Sequence, residues 1–219
     1  MLVVATDGEA GLSAEPGALG ETRRGELERA ARALGVARVV RLGYADSGLR
    51  GDASPDLQAR AARFCDASPT EISARLADVL REAQADILLT YDSHGGYGHP
   101  DHLQVHRTGA LAADLAGTPA VFEATIDRRL LLRLAKILGF VPGVRRLVPA
   151  DGFASAFTEH SRITHRIDVR RQVRHKQRAL RAHASQATGA SVRTVGLLAR
   201  LPRPFSTLVL GTEWFTRVR

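Results

Sequence analysis

Cysteine is almost absent from this chain of 219 residues, because Cys65 is the only one. A single cysteine excludes an intrachain disulfide, and so excludes the disulfide-stapled class of secreted domain. Long apolar runs are absent too: no stretch of 18 residues is apolar throughout, which excludes an ordinary membrane-spanning helix. Residues 1–7 lack the basic flank and the long apolar core of a signal peptide. We therefore expect a cytoplasmic protein.

Lysine is scarce, since Lys136 and Lys176 are the only two among 31 basic residues. The net charge of +8 is uneven: residues 1–119 carry 12 basic and 17 acidic side chains, whereas residues 120–219 carry 19 and 6. A basic half attracts anionic partners such as nucleic acid or a membrane surface. However, the excess is nearly all arginine, which is typical of codon bias, and no nucleic-acid-binding signature accompanies it. We expect neither nucleic acid nor membrane as a partner.

The first two thirds of the chain alternate strand and helix patterns. This length favours a single domain over 1–219, with an α/β core at 1–126 and a C-terminal part at 127–219. The order predicts a Rossmann-like α/β/α fold of three layers with a mostly parallel sheet. The apolar runs predict strands at 2–5, 36–42, 86–90 and 120–124, and the helical patterns lie at 27–34, from Thr70 to Leu80 and after His102.

The C-terminal part is less regular. We predict a helix over 130–138, and a helix over 168–184 that carries a solvated stripe of arginines. The apolar run 207–210 predicts a late strand. Residues 45–69 are predicted as loop with a short helix at 56–65, and residues 139–165 show no clear period within a variable region at 127–165.

Polar clusters follow three of the predicted strands, at residues 6–11, 43–48 and 91–102. Parallel strands place their carboxyl ends at one edge of a sheet, and ligands bind in the crevice there. The third cluster carries His94, His99 and His102 beside three glycines. The three clusters together predict a site for a polar small molecule.

The histidines of the third cluster suit metal chemistry. Neutral imidazole is a common zinc ligand, and a carboxylate such as Asp101 fixes the tautomer of a neighbouring ring. His106 lies four residues after His102 and shares its helix face, but Leu103 stands where a zincin site has glutamate. We interpret His106 as a structural or rim residue.

The run Gly-Gly-Tyr-Gly-His-Pro-Asp-His at residues 95–102 resembles the second signature of the PIG-L/LmbE-like zinc-dependent N-acetylglucosaminyl deacetylases. Other segments agree with that family in the right order along almost the whole chain, and the resemblance is closest to the branch that acts on sugar–inositol and mycothiol-type substrates. These segments are residues 5–11, 23–27, 33–36, 42–48, 183–186 and 213–215.

The resemblance implies roles for individual residues. His102 would bind Zn²⁺, while His99 would stabilise the oxyanion or protonate the leaving amine. Asp101 would orient His99, and Tyr97 resembles a mobile tyrosine over the site. The reaction implied is hydrolysis of the N-acetyl group of a GlcNAc-type sugar or sugar–inositol conjugate, a small-molecule substrate.

Two further residues match family positions that hold substrate hydroxyls. They are Arg23 and Asp46. The resemblance therefore places substrate-binding residues in the first quarter of the chain.

One family motif has no counterpart. The first signature, His-Pro-Asp-Asp-Glu, supplies two zinc ligands and the general base, whereas the only His-Pro of this chain is at residues 99–100. The resemblance therefore implies a fold without its first strand and first signature. Because a catalytic zinc site needs three protein ligands, it also implies an impaired enzyme.

Two explanations stay open: a fragment of a longer active enzyme, or a truncated inactive protein. A rival of another class is a non-catalytic binding protein that uses the arginine-rich C-terminal half. The sequence leaves open whether the chain forms a homo-oligomer.

Overall fold

The computed structural model describes residues 1–10, 19–48, 61–139, 156–185 and 193–219. The chain divides into two compact units. The first comprises residues 1–66 and 168–212, and the second comprises 67–167 and 213–219. The expectations for residues 49–60 and 140–155 lie outside the described residues, so most of the short helix predicted at 56–65 stays untested.

The first unit contains a parallel pair of strands joined through a helix. Strand β1, Leu2–Thr6, pairs in parallel with β2, Val39–Tyr44, and helix α1, Leu19–Ala33, lies between them in sequence. Gly35 adopts a φ of 72° just after α1, which is the left-handed conformation that commonly ends a helix. The predicted strand–helix–strand order is therefore present.

Three C-terminal helices follow in the first unit. They are α5, Val173–Ala182; α6, Arg193–Arg200; and α7, Phe205–Leu210. Helix α5 packs on α1, and α6 and α7 pack on α5. Small buried residues, Ala30 and Ala31 on α1 and Ala179 on α5, contribute to the core of this unit. The prediction of a strand at 207–210 is wrong, because those residues form α7. A short apolar run fits a buried helix as well as a strand, and here the Ser206 N–H donates to Pro202 O at 3.1 Å in helical register.

The second unit is built on a four-stranded sheet with the order β3-β4-β6-β5. Strand β3 pairs in parallel with β4, and β4 pairs antiparallel with β6. The sheet confirms the mostly parallel α/β core, with an antiparallel strand added. The strands are β3, Ile87–Tyr91; β4, Ala120–Thr125; β5, His165–Asp168; and β6, Thr212–Arg217.

Two helices of the second unit pack against each other. Helix α2 is Pro69–Glu82 and helix α3 is Pro100–Ala116, and both bury alanines that let the backbones approach. Ser68 is the N-cap of α2, because its Oγ accepts the Glu71 N–H at 3.5 Å and Pro69 occupies the first helical position. The helix therefore begins before Thr70, where the sequence pattern predicts its start. A further helix, α4, is Arg128–Gly139. Across the described residues, no helix combines the length and apolar character needed to cross a bilayer.

The helix predicted over 168–184 begins later than the sequence predicts, so only part of its arginine stripe lies on a helix. Arg166 lies in β5, a 3₁₀ turn covers Arg170–Gln172, and α5 begins at Val173. The remaining arginines of the stripe on α5, Arg174, Arg178 and Arg181, are exposed, as a solvated face would be.

Candidate active site

The turn that follows β3 is built around Asp92. This carboxylate is fully buried and accepts hydrogen bonds from the N–H groups of His94 and Gly96 at 3.1 and 2.9 Å. The hydroxyls of Thr125 and Thr158 donate to its other oxygen. A buried carboxylate is costly unless donors surround it, so these four bonds make Asp92 the fixed point of the histidine segment.

The glycines of this turn are required by its backbone. Gly95 and Gly96 have φ values of 60° and 65°, which side chains rarely tolerate. A Cβ added to Gly95 would lie 2.9 Å from the Leu103 Cγ and 3.0 Å from the Leu103 backbone nitrogen. The turn thereby packs directly on the first turn of α3.

His99 and His102 occupy the start of α3. His99 is the N-cap, and its Nδ1 accepts the Asp101 N–H at 3.2 Å. The Nδ1 of His102 lies 3.2 Å from the Gly95 carbonyl oxygen, to which it donates. These partners fix opposite tautomers: neutral His99 carries its proton on Nε2, whereas Nε2 of His102 carries the lone pair that a metal requires.

Two tyrosines frame the histidines. The Tyr91 ring stacks on His102 with 3.9 Å between centroids, and the exposed Tyr97 ring meets His102 edge-on at 5.4 Å. The centroids of His99 and His102 are 4.8 Å apart. The second unit thus brings together the four site residues that the sequence placed in this segment, Tyr97, His99, Asp101 and His102. The contact between Asp101 and His99 is made by the Asp101 main-chain N–H, which donates to His99 Nδ1.

Two other histidines of this region have structural partners. His94 Nε2 lies 3.2 Å from Arg128 Nη2. His106 Nδ1 lies 3.0 Å from Glu123 Oε1 and 3.3 Å from the Tyr91 carbonyl oxygen. The hydrogen bond with Glu123 raises the pKa of His106, although partial burial opposes it. These contacts favour the structural interpretation of His106.

Arg128 is a residue that the sequence analysis missed. Its Nε donates to Ala156 O at 2.8 Å and its Nη2 donates to Phe157 O, while the Phe157 N–H donates to Gly96 O at 2.8 Å. Arg128 therefore fastens residues 156–158 onto the histidine turn. No local spacing signals this contact.

In the first unit, the polar clusters that follow β1 and β2 meet. The buried Asp46 accepts the N–H groups of Ala10 and Gly48 at 3.2 and 3.0 Å. Glu9 in turn accepts the Asp46 N–H at 2.9 Å. The parallel pairing of the two strands produces this contact, as the sequence predicts for their carboxyl ends.

Arg23 belongs to the same group of residues. It projects from α1 and donates from Nη1 to the Gly8 carbonyl oxygen. Burial lowers the pKa of Arg23, while the charges of Asp46, Glu26 and Glu9 oppose that shift. The first unit therefore holds Arg23 and Asp46 within one polar cluster.

In the second unit, His99 and Asp101 carry side-chain atoms of types that ligate metal ions. Imidazole and carboxylate are both common zinc ligands.

Known proteins are similar to this chain in sequence and in fold. Residues 1–113 match the family described as PIG-L, GlcNAc-PI de-N-acetylase. The chain is 35% identical over 218 residues to a 1D-myo-inositol 2-acetamido-2-deoxy-alpha-D-glucopyranoside deacetylase of Streptomyces griseus, covering 92% of this chain and 65% of that protein. It is 34% identical over 221 residues to the protein of the same name from Geodermatophilus obscurus, covering 92% and 72%. The chain thus spans about two thirds of the length of these curated relatives.

A solved structure shows the same fold at lower identity. The conserved protein TT1542 from Thermus thermophilus superposes with a TM-score of 0.57 at 18% identity, over 99% of this chain and 80% of that chain. At this identity the likeness concerns the fold alone.

Proposed function

Since the chain belongs to the PIG-L family of GlcNAc-PI de-N-acetylases, we propose that it hydrolyses the N-acetyl group of a GlcNAc-type sugar joined to inositol. Water is consumed, the amide C–N bond breaks, and acetate and a primary amine are released. The observation that carries the proposal is the imidazole pair of α3, whose two Nδ1 contacts set one ring as an Nε2–H donor and the other as an Nε2 lone pair.

The second unit supplies the groups for bond cleavage. His102 would hold zinc through Nε2, and zinc, when bound, supplies polarisation of the amide carbonyl and a lowered pKa of bound water. His99 would donate its Nε2–H to the developing oxyanion and then to the leaving amine. Tyr97, exposed at the edge of both rings, would cover the acetamide.

The residues of this chain meet the requirements of a zinc site only in part. His102 has the tautomer that a ligand needs, yet the 219 residues contain no His-Pro-Asp-Asp-Glu motif to add two ligands and a base. We therefore expect this polypeptide to bind zinc more weakly than about 1 μM, and its deacetylation to be impaired. A metal titration that gives tight one-to-one binding would contradict this expectation.

The first unit supplies substrate recognition. Arg23 and Asp46 would bind hydroxyls of the substrate, because one offers guanidinium donors and the other carboxylate acceptors within a buried polar cluster.

We propose a cytoplasmic location for the reaction, which agrees with the single cysteine.

The rival function, a non-catalytic binding protein with an arginine-rich surface, is less well supported. Several basic side chains of that half are engaged within the chain: Arg170 pairs with Asp168, Lys176 donates to Leu210 O, and Arg181 donates to Ala199 O. The ion pair with Asp168 offsets the charge of Arg170, and the two bonds to carbonyl oxygens occupy donors that an anionic partner would need.

The decisive assay measures acetate and primary amine released from GlcNAc–inositol. We expect slow release in excess zinc, loss of release with a chelator, and no release from the His102→Ala variant. His175→Ala, which alters an exposed histidine of α5, is the matched control. Substrate binding without release in excess zinc would refute the enzyme and support the rival.

A further inference from the structure

Helix α7 turns an apolar face towards solvent. Phe205, Leu208 and Val209 have the spacing i, i+3 and i+4, so they lie on the same side of the helix. They are 58%, 81% and 43% exposed, and Leu208 is the most exposed of the large apolar side chains in the described part of the chain. By contrast, the small polar Ser206 is fully buried. Helix α7 therefore presents large apolar residues outwards, the reverse of an ordinary surface helix.

The exposure of Leu208 restricts the kind of partner that suits this face. A side chain that is 81% exposed projects from the surface, whereas a side chain that lines a groove is covered on several sides. The partner must therefore supply the apolar surroundings itself. Single exposed apolar side chains are common on proteins, but contiguous ones mark interaction surfaces.

The segment that carries α7 has charge of one sign. Residues 169–212 contain nine basic side chains and no acidic one. Asp168, which immediately precedes this segment, pairs with Arg170 and offsets the charge of that residue. Eight positive charges therefore remain unbalanced in the C-terminal part of the first unit. Such a surface attracts an anionic partner.

Basic residues lie at both ends of the apolar face. Arg200 and Arg203 are exposed at the end of α6 and in the turn before α7. Lys176 reaches the other end, where its Nζ donates to Leu210 O at 3.0 Å. An apolar face with a basic border suits an anionic bilayer, because apolar side chains enter the boundary between headgroups and acyl chains while cations meet the lipid phosphates. A nucleic acid offers the phosphates but no apolar layer for Leu208.

This arrangement changes the interpretation of the arginine excess. From composition alone the excess is typical of codon bias, and the apolar run 207–210 predicts a strand, so no membrane partner is expected. In the folded chain the same run is part of an exposed helix. Attraction to a charged surface depends on net charge, so the bonds from Lys176 and Arg181 to carbonyl oxygens do not abolish it.

We propose that α7 and its basic border form a docking surface for an anionic lipid bilayer. Phe205, Leu208 and Val209 enter the interfacial layer, and Arg200, Arg203 and Lys176 lie near the headgroup phosphates. The chain rests on the bilayer surface and does not span it. The inference goes beyond the proposed function and does not depend on it, since these six residues lie outside the deacetylation site.

The test measures flotation of the full chain with vesicles of phosphatidylcholine alone and of phosphatidylcholine with about one third phosphatidylglycerol. We expect roughly tenfold tighter binding to the anionic vesicles, and a loss of that preference at high salt. Leu208→Gln should weaken binding roughly fivefold, because an apolar side chain no longer enters the layer. Leu115→Gln alters a leucine of α3 that is 53% exposed, and as the matched control it should bind as the parent does.

A double variant separates the basic border from the net charge of the chain. Arg200→Gln with Arg203→Gln removes two charges beside α7 and should weaken binding to the anionic vesicles roughly tenfold. Arg75→Gln with Arg107→Gln removes two exposed charges from α2 and α3, so its effect should be smaller. Thermal unfolding of each variant checks that it is folded.

A fluorescent variant reports insertion directly. Phe205→Trp places an indole on the apolar face, and its emission should shift to the blue on anionic vesicles because the ring leaves water. The parent, whose only tryptophan is Trp214, should show no such shift. An unshifted Phe205→Trp spectrum on bound protein would overturn the insertion of α7.

The remaining outcomes identify the occupant of the face. Equal flotation of the parent and Leu208→Gln would reduce the interaction to adsorption of charge, and equal losses in the two double variants would overturn the basic border. Tighter binding to a single-stranded RNA than to the anionic vesicles would assign the arginines to nucleic acid. Dimerisation without vesicles that Leu208→Gln abolishes would make a second copy the occupant. Acetate release is measured without vesicles, so these outcomes are independent of the proposed function.

Discussion

His99 and His102 are three residues apart on one helical turn, yet their hydrogen bonds give them different chemistry. Because Nε2 of His102 is the unprotonated nitrogen, His102→Ala should weaken zinc binding at least tenfold. His99 carries its proton on Nε2, so His99→Ala should bind zinc as the parent does and lose about 10²–10³ in the rate of acetate release in excess zinc. Zinc titration and the acetate assay measure the two effects separately.

Equal loss of zinc in both variants would show that His99 is a ligand and that the role assignment is wrong. His94→Ala provides a control within the same turn, since its ring contacts Arg128. We expect that variant to retain zinc binding.

His106 should make stability depend on pH. Its pKa is raised above the ordinary 6.5 by Glu123, so the stabilisation from the pair is complete below about pH 6.5 and is lost as the pH rises through the raised value. Relative to wild type, His106→Gln should cost about 0.5–1 kcal/mol more of unfolding free energy near pH 5.5 than near pH 9, a modest figure because the pair is only partly buried.

Chemical denaturation at the two pH values measures this difference. His175→Gln, at an exposed position on α5, controls for the general effect of losing a histidine. A penalty for His106→Gln that does not change with pH would exclude an ionic contribution from the pair.

At the residue scale, the sequence predicts contacts that are local or that follow from parallel strands. Tyr97, His99 and His102 share one short segment, and Asp46 meets residues 9 and 10 because β1 and β2 are parallel. Arg128 escaped prediction because it contacts Ala156 across 28 residues with no spacing rule to connect them.

At the scale of elements, signals at helix ends are reliable where they act locally. Gly35 and Gly117 follow α1 and α3 with positive φ, so each helix ends beside the residue that favours its end. The sequence pattern does not predict strand β6, since its pairing with β4 joins residues about 90 apart. The apolar run just before it predicts a strand but forms α7.

The turn between β3 and α3 provides a test of an element that needs glycine. Gly95→Ala places a Cβ against Leu103 in a residue with φ of 60°, so it should destabilise the fold by about 2–4 kcal/mol through clash and backbone strain together. Gly98→Ala is the matched control: φ is 92°, but no described atom lies within 4 Å of its Cβ, so strain alone applies and the loss should be smaller.

Denaturant unfolding of the two variants gives the comparison. Gly95→Ala should also weaken zinc binding, because the Gly95 carbonyl oxygen holds His102. Equal stability losses in the two variants would contradict the close approach of the turn to α3.

At the scale of the whole molecule, the sheet of the second unit has an apolar strand at its end. β3 is the terminal strand in the order β3-β4-β6-β5, and Ile87 and Leu89, which share one face of it, are each 58% exposed. Natural proteins protect such edges because unpaired N–H and C=O groups beside apolar side chains template association between chains.

We therefore expect the 219-residue chain to self-associate as its concentration rises, and Leu89→Lys to reduce that association by placing a charge on the edge strand. Leu208→Lys is the matched control, since Leu208 is 81% exposed but lies on a helix, where the backbone groups are already bonded. Sedimentation velocity over a range of concentrations measures the effect. Association that persists in Leu89→Lys but disappears in Leu208→Lys would assign it to α7 instead of β3, and a parent chain that stays monomeric throughout would show that the edge is tolerated.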